Sequence, residues 1–140
     1  MKIRPAAESD IEAMHALRGR VTENVLSDPE RVTHASYRLY LTQGGAWVAE
    51  TERGLIGFAI LDVAGGSVWA LFVAPEVEGE GVGRALHDRL IRGAAEHGLR
   101  RLFLSTAPHT RAERFYTEAG WTNTGIIQSG ELSFERNLGS

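Results

Sequence analysis

The sequence predicts a mixed α/β fold in a single domain that spans residues 1–140. Its length is that of one domain. Hydrophobic residues make up 43% and charged residues 24%, the balance of a globular protein with one core. Segments with helical spacing of apolar residues alternate with runs of apolar and β-branched residues, and glycines or prolines separate them. The predicted order is βααβββαβαββ, which gives seven strands and four helices.

The chain opens with a short strand and an amphipathic helix. Residues 2–4 form the predicted strand, and Pro5 stops it. Ser9 is the expected N-cap of the helix, with Glu12 three residues later completing a capping box. Apolar residues then follow at helical spacing, at Ile11, Met14, Leu17 and Val21.

A second helix is expected to begin at Pro29, because proline is favoured in the first turn of a helix. Gly44 and Gly45 end it, and its apolar positions are Val32, Ala35 and Leu39. Three acidic residues lie near the junction of the two helices: Glu23, Asp28 and Glu30. They either line an amine pocket or form an exposed charged cluster, which is the more common case.

The middle of the chain changes to the pattern of strands. Residues 47–51 and 55–63 are rich in apolar and β-branched residues, and the hairpin signal at residues 52–54 separates them. After a turn at residues 64–66, residues 67–74 form a third strand that ends before a proline. All three tryptophans are expected in the core: Trp47, Trp69 and Trp121.

Glycines open and close the remaining helices. Residues 79–83 open a helix with Gly98 as its C′ residue, and its apolar face is Val82, Leu86, Leu90 and Ala94. A short strand follows at residues 101–105. Gly120 closes the next helix, whose apolar residues are Ala112, Phe115, Tyr116 and Ala119. Two late strands meet at a Ser-Gly turn, at residues 122–127 and 131–136.

Composition excludes several classes of function. Without cysteine, the chain has no disulfide, thiolate metal site or cysteine nucleophile, and its histidines lack ligand-like spacing, so no metal site is expected. A formal net charge of −3 lacks the electrostatic footprint of a nucleic-acid binder. No apolar run is long enough to span a bilayer, and no signal segment precedes the first helix. We therefore expect the mature chain to begin at Met1 and to act in the cytoplasm.

A glycine-rich loop between a strand and a helix is the decisive segment, Glu78-Gly79-Glu80-Gly81-Val82-Gly83-Arg84-Ala85-Leu86. Alternate glycines let the backbone approach a ligand closely. The free N–H groups at the start of the helix point to one spot, and the helix dipole adds partial positive charge there. A pyrophosphate is the expected occupant.

Three other interpretations of the loop compete. A P-loop, Gly-x-x-x-x-Gly-Lys-Ser/Thr, is disfavoured because neither the lysine nor the hydroxyl residue is present. A dinucleotide fingerprint fits Gly79 and Gly81, but Arg84 takes the place of its third glycine, and residues 99–103 lack the acidic residue that it needs. The third interpretation is a glycine-rich turn that binds no ligand. Judged on the three glycines alone, a turn without a ligand and a ligand-binding loop are about equally expected.

Two segments resemble the motifs of the GNAT family of N-acyltransferases. Residues 71–75 and 78–86 resemble motif A, Gln/Arg-x-x-Gly-x-Gly/Ala, and residues 112–121 are similar to motif B. The order and spacing of both motifs, and the order of elements, match the family, so the resemblance covers nearly the whole chain. It implies the GNAT fold: a twisted, mostly antiparallel central sheet of about seven strands with four helices and a splayed pair of parallel strands.

The resemblance also implies acetyl-CoA as co-substrate, without a metal. Pantetheine would lie between the splayed strands and pair with main-chain groups of Phe72 and Val73, and an N–H group near Val73 would polarise the thioester carbonyl. The other implied cofactor-binding residues are Glu78, Gly79, Glu80, Gly81, Val82, Gly83, Arg84, His109, Ala112 and Phe115.

Two residues depart from the motifs of the family. Glu78 stands where Gln or Arg is usual, so a side-chain contact to the pyrophosphate is lost and a carboxylate lies near it. His109 stands where motif B commonly has Asn. Because backbone N–H groups carry most of the interaction, we expect weaker binding rather than none.

The resemblance implies that the catalytic acid is Tyr116, which would protonate the departing thiolate of CoA. Outside this motif, packing of Tyr116 with Phe115 against the sheet would be the more common role. Glu50, at the end of a strand, is the first candidate for the general base, followed by His34 and His109. For each of the three, a surface or structural role is the more common one.

The implied acceptor is a primary amine of a small molecule or a peptide, and a homodimer is expected because dimers are frequent in the family. No nucleic-acid or membrane partner is expected. The alternative function is a non-catalytic GNAT-like module that binds acetyl-CoA as a sensor or interaction domain. Glu78 and His109 favour this alternative, whereas Tyr116 and the intact Gly81-Val82-Gly83 favour an enzyme.

Overall fold

A computed structural model gives the fold of residues 1–21 and 34–139. These residues form seven strands and four α-helices in the predicted order: β1 (Lys2–Pro5), α1 (Ile11–Arg20), α2 (His34–Thr42), β2 (Ala46–Thr51), β3 (Gly54–Asp62), β4 (Ser67–Val73), α3 (Val82–Glu96), β5 (Arg101–Thr106), α4 (Arg111–Glu118), β6 (Thr122–Ile126) and β7 (Leu132–Asn137). Several sequence predictions lie outside the described residues: the helix start at Pro29, the apolar position Val32, and the acidic group Glu23, Asp28 and Glu30.

The strands form one mixed sheet in the order β1-β2-β3-β4-β5-β7-β6. Every neighbouring pair is antiparallel except β4 and β5, which are parallel. A parallel pair needs a crossover connection, and the segment that contains α3 supplies it. The predicted fold class is confirmed.

Two cores lie on opposite faces of this sheet. In β2, Trp47 and Ala49 join the core with α3, whereas Val48 joins the core with α1 and α2. Successive side chains of a strand point to opposite faces, so β2 and β3 are buried on both sides. This double burial explains why their sequences are continuous apolar runs rather than alternating ones.

The predicted apolar face of α3 is confirmed, because its four members are all buried: Val82, Leu86, Leu90 and Ala94. On the same helix Gly93 lies against Trp47, where an added Cβ would stand 2.4 Å from the indole ring. Gly98 follows the helix with a φ of 81°, the left-handed conformation of a C′ residue. Among the described helices, none combines the length and apolar character needed to cross a membrane.

The predicted capping box of the first helix is wrong. A turn of 3₁₀ helix at Glu8–Asp10 precedes α1, and the carboxylate of Asp10, not Ser9, accepts the N–H of Ala7 at 2.7 Å. Arg4 donates two hydrogen bonds to this carboxylate, at 2.8 and 2.9 Å, and so fixes its position. An ion pair from β1 therefore determines where the helix begins.

The predicted inner face of the second helix is also wrong. Ala35 and Leu39 are exposed, and Tyr37 is completely buried. Its ring packs on Trp69 and its hydroxyl lies 3.0 Å from Nδ1 of His15. Tyr37 buries more apolar area than Ala35 would, and its hydroxyl has a partner when buried. The helix therefore presents Tyr37 rather than Ala35 to the sheet. Trp69 itself is only half-buried, whereas the other two tryptophans lie in the core as predicted.

Candidate active site

The parallel strands β4 and β5 separate soon after they meet. They pair only at Ser67 and Phe103, where the Phe103 N–H donates to the Gly66 carbonyl at 3.0 Å. The register of β4 against β3 skips Trp69, which marks a β-bulge just beyond that point. A bulge bends the strand that carries it, so the carboxyl end of β4 diverges from β5. The result is the splayed pair that the sequence resemblance implied.

Val73 presents its main chain to this gap. The next residue, Ala74, donates its N–H to the Ile56 carbonyl of β3 at 2.8 Å. Because successive residues of a strand direct their peptide groups to opposite edges, those of Leu71 and Val73 face the gap, and those of Phe72 face β3. The main-chain groups of Val73 and Leu71 therefore face the gap, whereas those of Phe72, the other residue predicted to pair with pantetheine, face β3.

The glycine loop follows β4 and begins α3. Gly79 and Gly81 have φ values of 81° and 87°, a left-handed conformation that favours glycine. An added Cβ at either position would meet no atom within 4 Å, so both glycines border open space. The first N–H groups of α3, which begins at Val82, lack intrahelical acceptors and form the positive end of the helix dipole. This arrangement suits an anion.

A cavity of about 730 Å³ joins the loop, the end of β4 and helix α4. It is lined by many of the residues predicted from the sequence: Phe72, Val73, Glu78, Gly79, Gly81, Gly83, Arg84, Ala112, Phe115 and Tyr116. Four other predicted residues do not line it: Glu50, Glu80, Val82 and His109. Val82 is buried beneath the loop, and Glu80 and His109 are exposed.

Tyr116 reaches the cavity from α4 and is only 6% exposed. Its ring contacts Phe115 and Trp121 edge to face, with centroids 5.2 and 5.4 Å away. No side chain in the described part of the chain hydrogen-bonds its hydroxyl. Burial raises the pKa of this tyrosine well above its usual value, so the hydroxyl keeps its proton and can donate it to a ligand.

A buried histidine that the sequence analysis missed lies behind these rings. The Trp121 indole donates to Nε2 of His87 at 2.9 Å. Since Nε2 accepts, the proton is on Nδ1, which donates to the Asp88 carboxylate at 3.0 Å. Desolvation lowers the pKa of His87, which favours this neutral form. The pair ties α3 to the end of α4 and so supports the ring of Tyr116.

Arginines from three elements border the cavity, and the sequence analysis had singled out only Arg84. The others are Arg20, Arg111 and Arg114. Arg20 pairs with Glu76 at 2.5 Å, and Arg111 donates to the carboxylate of Glu78. The acidic residue at position 78 is therefore neutralised from the start of α4. Within the described residues, no group of three or more His, Asp or Glu side chains could hold a metal ion.

Comparison with known proteins identifies the family. The model of the acetyltransferase (GNAT) family matches residues 11–121. This chain belongs to the GNAT family. The match begins at α1 and ends just after α4, so it includes both the glycine loop and Tyr116.

Individual relatives agree with this assignment. Over 99 residues the chain is 35% identical to the peptidyl-lysine N-acetyltransferase YjaB of Escherichia coli, a match that covers 68% of this chain and 61% of that protein. Its fold is similar to that of yncA from Salmonella typhimurium, solved with acetyl-CoA, with a TM-score of 0.82, 23% identity and coverage of 100% and 95%. It is also similar to PaiA N-acetyltransferase from Thermoplasma acidophilum, solved with coenzyme A, with a TM-score of 0.81, 14% identity and coverage of 97% and 98%.

None of the three residues predicted as the general base of this GNAT protein lines the cavity. The carboxylate of Glu50 accepts hydrogen bonds from Nε and Nη2 of Arg4, at 3.0 and 3.1 Å, and so ties β2 to β1. His34 contacts the ring of His15 with centroids 5.9 Å apart, and His109 is exposed with a φ of 64°. Glu50 therefore has a structural contact outside the cavity lining, and its role as the general base stays a prediction.

Replacing Glu50 with glutamine is expected to leave turnover unchanged and to lower stability near neutral pH. Arg4 lowers the pKa of Glu50 in the folded protein. The pair therefore stabilises the fold above the ordinary pKa of about 4.3, and its contribution is lost as the pH falls through the lowered value. Urea denaturation at neutral pH and at roughly pH 3 would measure the free energy of unfolding of the wild type and of Glu50→Gln. The difference between the two proteins should shrink in acid.

Glu52→Gln is the matched control, because Glu52 is exposed in the turn between β2 and β3. It should change neither turnover nor the free energy of unfolding. A large loss of turnover in Glu50→Gln, with its stability intact, would instead restore Glu50 as a catalytic residue.

Proposed function

We propose that residues 1–140 act as one N-acetyltransferase domain, which moves an acetyl group from acetyl-CoA to a primary amine by direct attack through a tetrahedral intermediate. One observation carries this proposal: a single cavity connects the left-handed glycine loop, the gap at the end of β4 and the hydroxyl-bearing ring of Tyr116. These are an anion site, a set of unpaired main-chain groups and a proton donor, in the contiguous arrangement that a thioester needs.

The loop would hold the pyrophosphate of acetyl-CoA. The open space at Gly79 and Gly81 lets the phosphates approach the backbone, and the free N–H groups at the start of α3 would donate to them. Arg84 and Arg114 line the same cavity and would add positive charge.

The gap would hold the pantetheine arm. The main-chain groups of Leu71 and Val73 face it and would form a strand-like pairing with the amides of the arm. The Val73 N–H would then stand near the thioester carbonyl and stabilise the oxyanion as the amine attacks. Removal of one such donor costs about 10²–10³ in kcat in other enzymes.

Tyr116 would act as the general acid. When the tetrahedral intermediate collapses, the C–S bond breaks and the sulfur takes the electron pair. The Tyr116 hydroxyl then donates its proton to that sulfur, which leaves as the thiol of CoA. The attacking nitrogen releases a proton to water, and the phenolate of Tyr116 takes one back from water. Burial raises the pKa of Tyr116, so the hydroxyl holds its proton until negative charge develops on the sulfur.

Removing the charge of Glu78 is expected to tighten acetyl-CoA binding. Glu78→Gln takes a carboxylate away from the phosphate site and removes its ion pair with Arg111. Because Glu78 is 36% exposed, we expect a modest gain of about two- to fivefold in affinity, shrinking with added salt. Arg111→Gln should weaken binding by a similar factor.

Isothermal titration with acetyl-CoA would measure both variants. Glu80→Gln is the control, because Glu80 lies in the same loop but does not line the cavity. If Glu78→Gln bound acetyl-CoA more weakly than the wild type, the carboxylate would be a ligand-binding group rather than a neutralised one.

The proposed activity is tested by titration with acetyl-CoA followed by CoA release over a panel of primary amines that includes a lysine peptide. We expect saturable binding and turnover with part of the panel. Binding without turnover of any amine would favour the sensor module instead, and absence of binding at millimolar acetyl-CoA would overturn the proposal. The homodimer and the cytoplasmic location stay predictions.

A further inference from the structure

Arg18 of α1 lies over two aromatic rings of β4. The central carbon of its guanidinium is 5.0 Å from the ring centre of Trp69 and 4.8 Å from that of Phe72. In a regular strand Trp69 would point to the opposite face of the sheet from Ala70, Phe72 and Ala74. The bulge turns its side chain to their face, where it packs on the core that contains α1 and α2. The bulge that opens the gap therefore also builds the platform under Arg18.

Two donors of the guanidinium have no acceptor among the described residues. Nε and Nη1 are buried, and no residue in the described ranges 1–21 and 34–139 accepts a hydrogen bond from them. The two carboxylates that precede α1 are engaged elsewhere: Glu8 pairs with Arg38, and Asp10 pairs with Arg4. The polar neighbour from α2 is the Tyr37 hydroxyl, which is neutral.

A partly buried cation with unpaired donors is costly, because the charge loses water without gaining acceptors in exchange. Burial accordingly lowers the pKa of Arg18, although an arginine keeps its proton at any physiological pH. Two aromatic faces offset part of the cost, but they leave the N–H donors unused. A group with this cost suggests a ligand that supplies the missing acceptors.

Arg18 lies beside the cavity without lining it. Phe72, on which its guanidinium stacks, does line the cavity, and so does Arg20, two residues further along α1. The glycine loop and α4 lie on the other face of the sheet, with the core that contains α3. A thioester that reaches through the gap from that face would meet an amine arriving on the face of α1, beside Arg18.

We propose that Arg18 binds a carboxylate of the acceptor, so that the preferred substrates are free amino acids rather than simple amines or lysine side chains within a protein. This inference rests on the proposed acetyltransferase function. The planar N–H donors of arginine match a carboxylate, and Phe72 adjoins Val73, so the carboxylate and the reacting amine lie within one small molecule's length.

The first test compares each free amino acid with its α-amide as acceptor and follows CoA release. We expect the wild type to prefer the acids by about 10- to 100-fold in kcat/KM, the range of a hydrogen-bonded charged contact. Arg18→Gln should bring the ratio of acid to amide close to one. Arg38→Gln, an exposed arginine of the neighbouring helix, is the matched control and should keep the preference.

Arg18→Lys keeps the charge and the aliphatic stem and serves if the glutamine variant does not fold. It should retain part of the preference, because lysine offers a point charge without the planar donors. Equal kcat/KM values for acids and amides in the wild type would overturn the proposal. An equal loss of kcat/KM for acids and for amides in Arg18→Gln would also overturn it. Phosphorylated amines outcompeting the amino acids would assign the site to phosphate instead.

A second test does not depend on turnover. Arg18 lies on Trp69, so a carboxylate that binds it should change tryptophan fluorescence when a mixture of amino acids is added to the protein with CoA. The change should be absent in Arg18→Gln and Trp69→Phe, and with a mixture of the amides. A fluorescence change without CoA release would keep the carboxylate site and overturn acetyl transfer. Release of CoA without a fluorescence change would keep acetyl transfer and overturn the carboxylate site.

Discussion

Gly81→Glu is expected to abolish acetyl-CoA binding. Gly81 has a φ of 87° and no atom within 4 Å of its would-be Cβ, so the new side chain projects into the open space where the phosphates are proposed to lie. It would both fill that space and place a negative charge beside the pyrophosphate. The positive end of α3, which begins at the next residue, would then be neutralised by the protein's own carboxylate.

The matched control is Gly98→Glu, at the other end of α3. Gly98 has a φ of 81° and also has no atom within 4 Å of a would-be Cβ. Both variants therefore incur the same backbone strain of about 1–2 kcal/mol, and only one of them obstructs the loop. Calorimetric titration should show normal affinity in Gly98→Glu and no binding in Gly81→Glu. Equal affinity in the two variants would place the cofactor elsewhere.

Tyr116→Phe is expected to lower kcat by about 10²–10⁴-fold while acetyl-CoA affinity stays nearly constant. The hydroxyl has no hydrogen-bond partner in the described part of the chain, so its removal leaves no buried group unsatisfied. The ring contacts with Phe115 and Trp121 remain, because phenylalanine has the same ring. The thermal midpoint should therefore not fall.

Steady-state CoA release and calorimetry together test this prediction. Tyr40→Phe is the control, since Tyr40 is a half-buried tyrosine of α2 that packs on Trp69 and does not line the cavity. Its kcat should match that of the wild type. Wild-type kcat in Tyr116→Phe would mean that the ring only packs and that solvent protonates the leaving thiolate.

Much of the fold followed from local patterns. The four-residue spacing of Val82, Leu86, Leu90 and Ala94 predicted the buried face of α3, because that spacing is a property of the helix itself. The pattern failed in α2, where Leu39 is exposed and Tyr37 is buried. There the choice of face depends on which side chain finds partners on the sheet, and spacing alone does not contain that information.

The sequence by itself determined the glycine loop, the place of Tyr116 within a helix and the family of the chain, since each depends on residues close together along the chain. Tertiary structure alone decided the partners of charged groups. Glu78 meets Arg111 across 33 positions, Glu50 meets Arg4 across 46, and Arg18 meets two rings of β4. Such contacts are set by the order of strands in the sheet and the bulge in β4, which join distant segments in ways that no local period encodes.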